Sequence, residues 1–384
     1  MHIACEQHAL AHITAIAARI APRRPSHPSL AGVKLTAQDG ELTATSYDGG
    51  RAVSYTVTAT VFEPGEALVS AWLLGEIAKQ AAARPVTLTR SGHRVYVECD
   101  ASRYTLPTLP LEDYPTLPEL PPEAGLASAS NLADAISRVA PAAATPTSKA
   151  PPALQGVVLE ADATHLTLVA TDAYQLATAR VPWRSAGAPL PAPIVVQANH
   201  LAEVARALGQ GTVRLHANDA TLGLTTDALR VTTRLMDARP PRWRRVLPSP
   251  GEAATIVRTH RATLAAAVRR ITPVLDGGPA PRVLLRTHAD TTDTLEVLGG
   301  GDSDTTAAMT VDAEIAGEPM CLAINPAYLT AALAATPAED VEMRWYGTSR
   351  PALLTPPTQS ATHPGMQYLV MPIRCPNTTT GGSR

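Results

Sequence analysis

The residue types that most often carry catalysis or bind metals are scattered along this chain rather than grouped. The sequence has no glycine-rich phosphate loop, no HExxH zinc motif and no serine nucleophile elbow. The cysteines form no CxxC pair and have no histidine at ligand spacing; they are Cys5, Cys99, Cys321 and Cys375. We therefore expect no catalytic residue, no metal site, no cofactor and no enzymatic activity.

Three local features resemble catalytic or ion-binding sites without completing one. The run Gly299–Asp304 is glycine-rich and acidic, but it lacks the alternating ligands and final Glu of an EF-hand loop, so a surface hairpin is expected. Asp172 follows Thr171, yet no base–nucleophile pair lies nearby in sequence. Lone histidines on predicted helices favour solvated or groove-lining roles; they are His8, His12, His200 and His260.

The charge of the chain is nearly balanced but unevenly distributed. The formal net charge is −2 over 384 residues. Residues 255–275 contain four Arg and no acid, whereas residues 290–318 contain eight acids and no Lys or Arg. Such segregation gives one positive face, as sequence-independent DNA contact requires, although two ordinary solvated faces would give the same pattern.

Composition places the chain among globular proteins. The apolar fraction is 45% and the aromatic fraction 4%, so the cores must be built from Leu, Val, Ile and Ala. No apolar run is long enough for a membrane span, and Met1–Glu6 does not open a signal peptide. Because cysteines are sparse, we expect a cytoplasmic protein.

The chain reads as a threefold internal repeat. Val69–Ile77 resembles Val196–Val204 and Ile324–Ala332, and on this basis Leu73, Leu201 and Leu329 are equivalent at a spacing of 128. Three earlier segments carry apolar helical stripes: Leu10, Ile13, Ile16 and Ile20; Leu132, Ile136 and Val139; and Leu264, Val268 and Ile271. Asn131 is the predicted N-cap of the second stripe, with Asp134 in its first turn.

Strand hairpins follow each striped helix. The predicted pairs are Leu30–Leu35 with Glu41–Ser46, Leu154–Glu160 with Leu166–Ala170, and Val283–Thr287 with Thr294–Leu298. Each unit then holds two helices against antiparallel sheet, an α+β arrangement. Pro-rich linkers divide the chain into domains at 1–122, 123–250 and 251–375, followed by a flexible tail at 376–384.

Five segments carry a resemblance to a known family. They are Arg103–Pro115, Leu154–Glu160, Val169–Leu176, Arg242–Pro248 and Tyr368–Arg374. In this order they resemble the bacterial DNA polymerase III sliding clamp, the β-subunit family. The resemblance implies an α+β fold of three tandem clamp domains, assembled as a head-to-tail dimeric ring around duplex DNA. It also implies that the replicative polymerase, the clamp loader and other proteins with clamp-binding motifs are partners.

The resemblance also implies three sets of site residues. The DNA-binding set is Arg19, Arg23, Arg24, Lys149, Arg258, Arg261, Arg269 and Arg270. The partner-peptide pocket is Leu154, Thr171, Ala173, Tyr174, Gln175, Leu176, Pro241, Arg245, Val246, Asn325, Tyr328, Pro351, Leu369, Val370, Met371, Pro372 and Arg374. The dimer interface is Tyr104, Leu106, Val274 and Leu275. From the residues alone, the DNA-binding set is equally consistent with surface charges, the pocket set with core strands, and the interface set with internal core.

The sequence departs from the family pattern at the pocket. Ala173-Tyr174-Gln175 stands where the family usually has Gly-His-Arg, and the chain continues past Arg374 with Cys375 and nine further residues. Pro152 and Ala153 replace aromatic residues of some relatives near Lys149. A specialised second clamp, acting in repair or tolerating a clamp-targeting antibiotic, is therefore the alternative function. An interaction scaffold that no longer encircles DNA is a third.

Overall fold

The computed structural model describes residues 1–186, 190, 193–275, 281–300, 306–357 and 365–373. Within them lie six α-helices: α1 (Gln7–Ile20), α2 (Ala71–Gln80), α3 (Ala129–Val139), α4 (Ala198–Ala205), α5 (Arg261–Ile271) and α6 (Pro326–Ala335). None of these helices has the length and apolarity needed to cross a membrane. No group of three or more His, Cys, Asp or Glu in these residues is arranged to hold a metal ion.

The described strands number twenty-five and fall into three sets. Repeat 1 holds β1 (His2–Cys5), β2 (Gly32–Gln38), β3 (Glu41–Tyr47), β4 (Arg51–Thr58), β5 (Thr60–Glu63), β6 (Gly65–Ser70), β7 (Val86–Ser91), β8 (Arg94–Cys99) and β9 (Ser102–Pro107). Repeat 2 holds β10 (Glu123–Ser128), β11 (Gly156–Ala161), β12 (His165–Thr171), β13 (Gln175–Ser185), β14 (Ile194–Gln197), β15 (Thr212–Ala217), β16 (Thr221–Thr225) and β17 (Leu229–Arg234). Repeat 3 holds β18 (Thr255–His260), β19 (Val283–Arg286), β20 (Thr294–Gly299), β21 (Ala307–Gly317), β22 (Cys321–Ile324), β23 (Asp340–Trp345), β24 (Ala352–Thr355) and β25 (Gln367–Val370).

The three repeats share one pairing scheme, which confirms the predicted tandem organisation. In repeat 1, β6–β2–β3–β4 form one antiparallel sheet and β5–β1–β7–β8–β9 a second. Repeat 2 pairs β14–β11–β12–β13 and then β13–β10–β15–β16–β17 in the same way. Repeat 3 pairs β22–β19–β20–β21 and β21–β18–β23–β24–β25. One long strand, interrupted as β4 and β5 in repeat 1, therefore belongs to both sheets of each repeat.

Local sequence explains how these elements form. Along β2 the apolar Val33, Leu35 and Ala37 are buried while the polar residues between them are partly exposed, the alternation of a strand with one face in the core. The hairpin from β2 to β3 turns through Asp39 and Gly40, both at positive φ, the backbone of a two-residue type I′ turn.

Two sequence predictions about the helices are wrong by small shifts. The buried leucine of α2 is Leu74, not Leu73, which is 37% exposed; Leu74 is equivalent to the buried Leu201 and Leu329. α3 starts at Ala129, and the hydroxyl of Ser128 accepts the Asn131 backbone N–H at 3.4 Å. Ser128 therefore caps α3, and Asn131 lies inside its first turn.

Contacts divide the chain into two compact units. One comprises Met1–Ala133, Trp183–Ala192 and Glu203–Leu235, and the other Asp134–Pro182, Pro193–Ala202 and Met236–Arg384. The first contains a core that joins α1 to both sheets of repeat 1, with Ile3, Leu10, Leu35 and Leu88 among its members. The second contains a cluster formed by Val158, Val169, Leu176, Val195, Trp243, Tyr346, Leu353 and Leu369. Leu176 and Leu369 thereby bring repeats 2 and 3 into one core.

Consecutive repeats are joined by one type of strand pairing. The last strand of repeat 2, β17, pairs antiparallel with the long strand β4, opposing Val231 to Val53. The last strand of repeat 3, β25, pairs in the same way with the long strand β13, opposing Leu369 to Leu176. Each junction thus continues a sheet from one repeat into the next.

Candidate functional site

A four-residue turn between β12 and β13 forms the centre of the predicted peptide pocket. The Oδ1 atom of Asp172 accepts the backbone N–H groups of Tyr174 at 2.8 Å and Gln175 at 2.9 Å. The Thr171 hydroxyl donates to the Gln175 carbonyl at 2.6 Å and accepts the Ala173 N–H at 3.1 Å. Asp172 and Thr171 therefore fix the backbone of the turn.

The same turn occurs in repeat 1, between β3 and β4. There Asp48 Oδ1 accepts the N–H groups of Gly50 at 2.9 Å and Arg51 at 2.7 Å. Gly49 has φ +95°, and the equivalent Ala173 has φ +82°. The left-handed backbone is therefore required by the turn itself, and in repeat 2 an L-residue with a side chain occupies it.

The fourth turn residue differs in charge between the two copies. Arg51 Nε donates to Asp48 Oδ2 at 2.8 Å, whereas Gln175 Nε2 donates to Asp172 Oδ2 at 3.0 Å. Burial raises the pKa of Asp48, but hydrogen bonds from Gly50 and Arg51 outweigh burial and hold it below its usual value. The repeat 2 turn lacks the guanidinium that neutralises the Asp of the repeat 1 turn.

Gln175 is buried and links the turn to the C-terminal strand. Its Oε1 accepts the hydroxyl of the buried Tyr368 at 2.6 Å. Beyond the end of β25, the Met371 N–H donates to the Tyr174 carbonyl at 2.8 Å. The structure therefore brings Leu369, Val370 and Met371 alongside residues 174–176, as the predicted pocket requires.

Two tyrosines form an exposed rim beside the turn. The side chain of Tyr174 is 62% exposed, and its ring stacks on Tyr328 of α6 at 6.4 Å between centroids with an interplanar angle of 14°. Burial, together with the nearby carboxylate of Asp172, raises the pKa of Tyr328 to about 12. The predicted pocket residue Asn325 caps α6: its side-chain oxygen accepts the Ala327 N–H at 2.9 Å.

The segment that follows β17 packs Trp243 into the buried apolar cluster beside the turn. Trp243 packs in the cluster with Leu176, Leu353 and Leu369, and its indole N–H donates to Glu160 at 3.1 Å. Val246, whose N–H donates to the Trp243 carbonyl, is 51% exposed. Val246 and the two tyrosines thus expose apolar and aromatic surface beside a core that contains the buried Leu176, Leu353 and Leu369.

The other predicted pocket residues occupy different kinds of position. Leu154, Pro241, Pro351 and Pro372 are partly buried, Arg245 is exposed, and Leu154 lies in the 3-10 turn Pro152–Gln155. Arg374 lies outside the described residues.

Six of the eight predicted DNA-binding residues have exposed side chains without an ion pair among the described residues. They are Arg19, Arg23, Arg24, Lys149, Arg269 and Arg270. Arg19 is in the last turn of α1, and Arg269 and Arg270 are in the last turn of α5. Long cations at helix ends, left unneutralised by the protein, are available to phosphates.

The two remaining arginines are engaged within the fold. Arg258 lies on β18 opposite Glu314 on one side and Glu342 on the other, and its Nε donates to Glu342 at 2.8 Å. Arg261 donates to the carbonyls of Ala338 at 3.0 Å and Leu333 at 3.3 Å, at the end of α6. Arg258 thus balances two acids and Arg261 binds carbonyls at the end of α6, while DNA contact by either arginine stays a prediction.

Sequence reasoning overlooked Arg138. Arg19, Arg138 and Arg270 each directly precede the last buried apolar residue of the first helix in their repeat. Aligning the stripes of α1, α3 and α5 would have found this equivalence. Arg138 also donates to the Ala335 carbonyl at 3.0 Å, so it supports α6 as well.

The four predicted interface residues lie near two strand edges. Within the described residues, β9 has a strand neighbour only in β8, and the first half of β21 pairs only with β20. Val274 and Leu275 pack over Gly299, at the end of β20. Tyr104 is partly exposed on β9, but Leu106 is 1% exposed in the core of repeat 1, so its side chain offers no surface to a partner.

Three family models match the chain in consecutive order. They describe the N-terminal, central and C-terminal domains of the DNA polymerase III beta subunit and match residues 1–118, 127–242 and 244–374.

Individual proteins match over nearly the whole chain. A beta sliding clamp of Streptomyces coelicolor is 31% identical, covering 97% of this chain and 99% of the relative. The beta sliding clamp homolog GriR of Streptomyces muensis is 30% identical with the same coverage. Among solved structures, the Pseudomonas aeruginosa clamp bound to griselimycin has a TM-score of 0.85 at 25% identity, covering 98% of this chain and 100% of that one. A Thermotoga maritima beta subunit shares the fold, with a TM-score of 0.85 at 21% identity and coverage of 98% and 100%.

Proposed function

This chain belongs to the DNA polymerase III β-subunit family of sliding clamps, and we propose that two copies join head to tail into a ring around duplex DNA. Members of the family are non-enzymatic processivity factors. In the proposed role, the ring tethers the replicative polymerase to its template in the cytoplasm. The domain bounds that we propose are 1–122, 123–250 and 251–375.

The observation that carries the ring is the repeated strand junction. Each internal junction pairs the last strand of one repeat with the long strand of the repeat before it. Three repeats make two such junctions, which leaves one last strand, β9, and one long strand, β21, without their counterparts among the described residues. A second copy supplies both counterparts at once, and this closes a ring of six repeats.

The residues around these edges support the same interface. Tyr104 on β9, and Val274 and Leu275 beside β21, are partly exposed in the isolated chain. Pairing β9 with β21 would satisfy backbone groups that an edge strand otherwise presents to solvent. Light scattering at micromolar protein should give the mass of a dimer, and a monomeric mass would contradict the ring.

DNA binding is assigned to the exposed cations near the ends of the first helices. Their long side chains can follow phosphates without reading bases; they are Arg19, Arg23, Arg24, Lys149, Arg269 and Arg270. Such contacts are uniform along a duplex and therefore permit sliding, while retention comes from encirclement.

Partner docking is assigned to the groove formed by the turn at 172–175, Val246, Tyr328 and residues 369–371. Its chemistry suits short peptides with Leu or Phe anchors from the polymerase, the clamp loader and other partners. The partly buried Met371 adds a side chain that adapts to different anchors.

Charge reversal separates a clamp from a scaffold that only binds proteins. Arg24→Glu with Arg269→Glu should abolish DNA-dependent stimulation of polymerase processivity and leave binding of a labelled clamp-motif peptide intact. Arg94→Glu with Arg214→Glu changes the same charge at exposed strand positions and serves as the control. Unchanged stimulation by the first variant would favour the scaffold.

A specialised clamp with a remodelled pocket is the second candidate. It is favoured by Ala173 at φ +82° and by Gln175 in place of the Arg found in the repeat 1 turn. The Pseudomonas aeruginosa neighbour is bound to griselimycin, and tolerance of such an inhibitor is the role that this candidate gives to the remodelled pocket. A griselimycin titration should show weaker binding to this chain than to the Pseudomonas aeruginosa clamp, and Ala173→Gly with Gln175→Arg should narrow the difference. Equal affinities would reject this candidate.

A further inference from the structure

Trp72, in the first turn of α2, is an exposed aromatic side chain that is not part of the hydrophobic core of repeat 1. It is 52% exposed, whereas Trp183, Trp243 and Trp345 are buried. The equivalent positions of α4 and α6 hold Asn199 and Ala327. Because the same helix forms without an aromatic residue in the other repeats, packing of the helix does not require Trp72.

The surroundings of Trp72 are cationic. The guanidinium of Arg23 lies 5.9 Å from the centre of the Trp72 ring. α1 and α2 run antiparallel, as shown by Gly75 against Ala18 and by Gln7 Nε2 donating to the Ala78 carbonyl at 2.6 Å.

The segment that follows α1 therefore lies next to the start of α2. Arg19, Arg23 and Arg24 belong to a stretch, residues 7–38, that contains no Asp or Glu. On the exposed face of α2, Glu76 and Lys79 balance each other in charge.

We propose that Trp72 and the adjacent arginines bind single-stranded DNA, with an unpaired base stacked on the exposed indole face. Arginines follow the phosphates of a flexible strand, and an aromatic face between them takes a base of any identity. Bases within a duplex are stacked on one another and do not offer a free face. The patch therefore distinguishes unpaired template next to a primer end from the duplex that the ring encircles. This inference rests on the proposed DNA-binding role of Arg19, Arg23 and Arg24.

Intrinsic fluorescence reports directly on this site because Trp72 is the exposed tryptophan of the four. Titrating the full-length protein with oligo(dT) of about 20 nucleotides should quench and shift the tryptophan emission, and a blunt hairpin duplex with the same number of phosphates should not. By anisotropy with labelled oligo(dT) at low salt, Trp72→Ala should weaken single-strand binding about 5- to 150-fold, the range expected for one stacked base. Duplex binding should change less than twofold.

Three variants separate stacking from charge and folding. Trp72→Phe should keep most of the oligo(dT) affinity while losing the fluorescence change. Arg23→Ala should weaken both DNA forms, and Leu73→Ala, an exposed neighbour, should change neither. Equal oligo(dT) affinity of Trp72→Ala and the unmodified protein, or unchanged tryptophan emission, would overturn the inference. Retention on circular DNA measures the proposed clamp function separately, so the two can fail independently.

Discussion

Replacing Ala173 with Gly should stabilise the protein, although it removes a methyl group. Ala173 has φ +82°, in the left-handed region, and the structurally equivalent Gly49 has φ +95°. A left-handed residue with a Cβ costs about 1–2 kcal/mol. Glycine relieves that strain but adds about 0.4–1 kcal/mol of backbone entropy to the unfolded chain. The expected net gain in the free energy of unfolding is therefore about 0.5–1 kcal/mol.

The assay is guanidinium unfolding of Ala173→Gly beside two matched variants. Ala163 lies in the neighbouring β11–β12 turn, at an exposed position without positive φ. Ala163→Gly should therefore lower the free energy of unfolding by up to about 1 kcal/mol. Gly49→Ala imposes the strain of Ala173 on repeat 1. Because alanine also lowers the entropy of the unfolded chain, the net loss in the free energy of unfolding should be about 0.5–1 kcal/mol. If Ala173→Gly were no more stable than Ala163→Gly, the claim that the repeat 2 turn is strained would be refuted.

Two further perturbations test buried polar groups. Glu342 is buried, and although burial opposes its ionisation, hydrogen bonds from Arg258 and Arg344 hold its pKa below the usual 4.5. Glu342→Gln should therefore lower the free energy of unfolding by about 2 kcal/mol at neutral pH. Thermal melts should show this difference between the two proteins shrinking as pH falls below about 4, because Glu342 becomes protonated. A pH-independent difference would contradict the ion-pair explanation. Tyr368→Phe leaves the Gln175 amide oxygen without its donor and should lower the free energy of unfolding by about 1–2 kcal/mol. If the 2.6 Å hydrogen bond stabilises the fold, a double-mutant cycle with Gln175→Ala should give a coupling energy of similar size.

The repeat architecture was predictable because apolar spacing is local information. The stripes of α1, α3 and α5 follow the 3.6-residue period, and their hairpins follow in the same order in each repeat. Boundaries were less certain. Ser128 is the last residue of β10 and also caps α3. Because the apolar stripe that marks α3 starts only at Leu132, the sequence predicts Asn131 as the cap instead.

Side-chain partners were not predictable because they come from distant strands. Arg258 looked like a free cation in an acid-poor segment, but strand pairing places Glu314 and Glu342 on either side of it. Arg261 looked equally free, but the carbonyls at the end of α6 accept its hydrogen bonds. Neither pairing could be read from sequence spacing, since the partners lie more than fifty positions away.

The pocket was foreseen through resemblance, but its strain and charge required the fold. The sequence shows that Ala173 stands where the family usually has Gly, but only the dihedral angle shows that this residue occupies the left-handed region. Likewise, the loss of charge at Gln175 was visible in sequence, whereas its buried link to Tyr368 was not. The same turn in repeat 1 provides an internal reference for both features.

The central claim, encirclement of DNA, is tested most directly by topology. The protein is loaded by a bacterial clamp loader onto nicked circular plasmid, brought to high salt, and separated from free protein by gel filtration before and after a single restriction cut. A ring should remain on the circular plasmid at high salt, because salt weakens phosphate contacts but does not open the topological link between protein and DNA. The ring should slide off once the DNA is linear. Dissociation from the intact circle, or persistent binding to the linear form, would contradict the account.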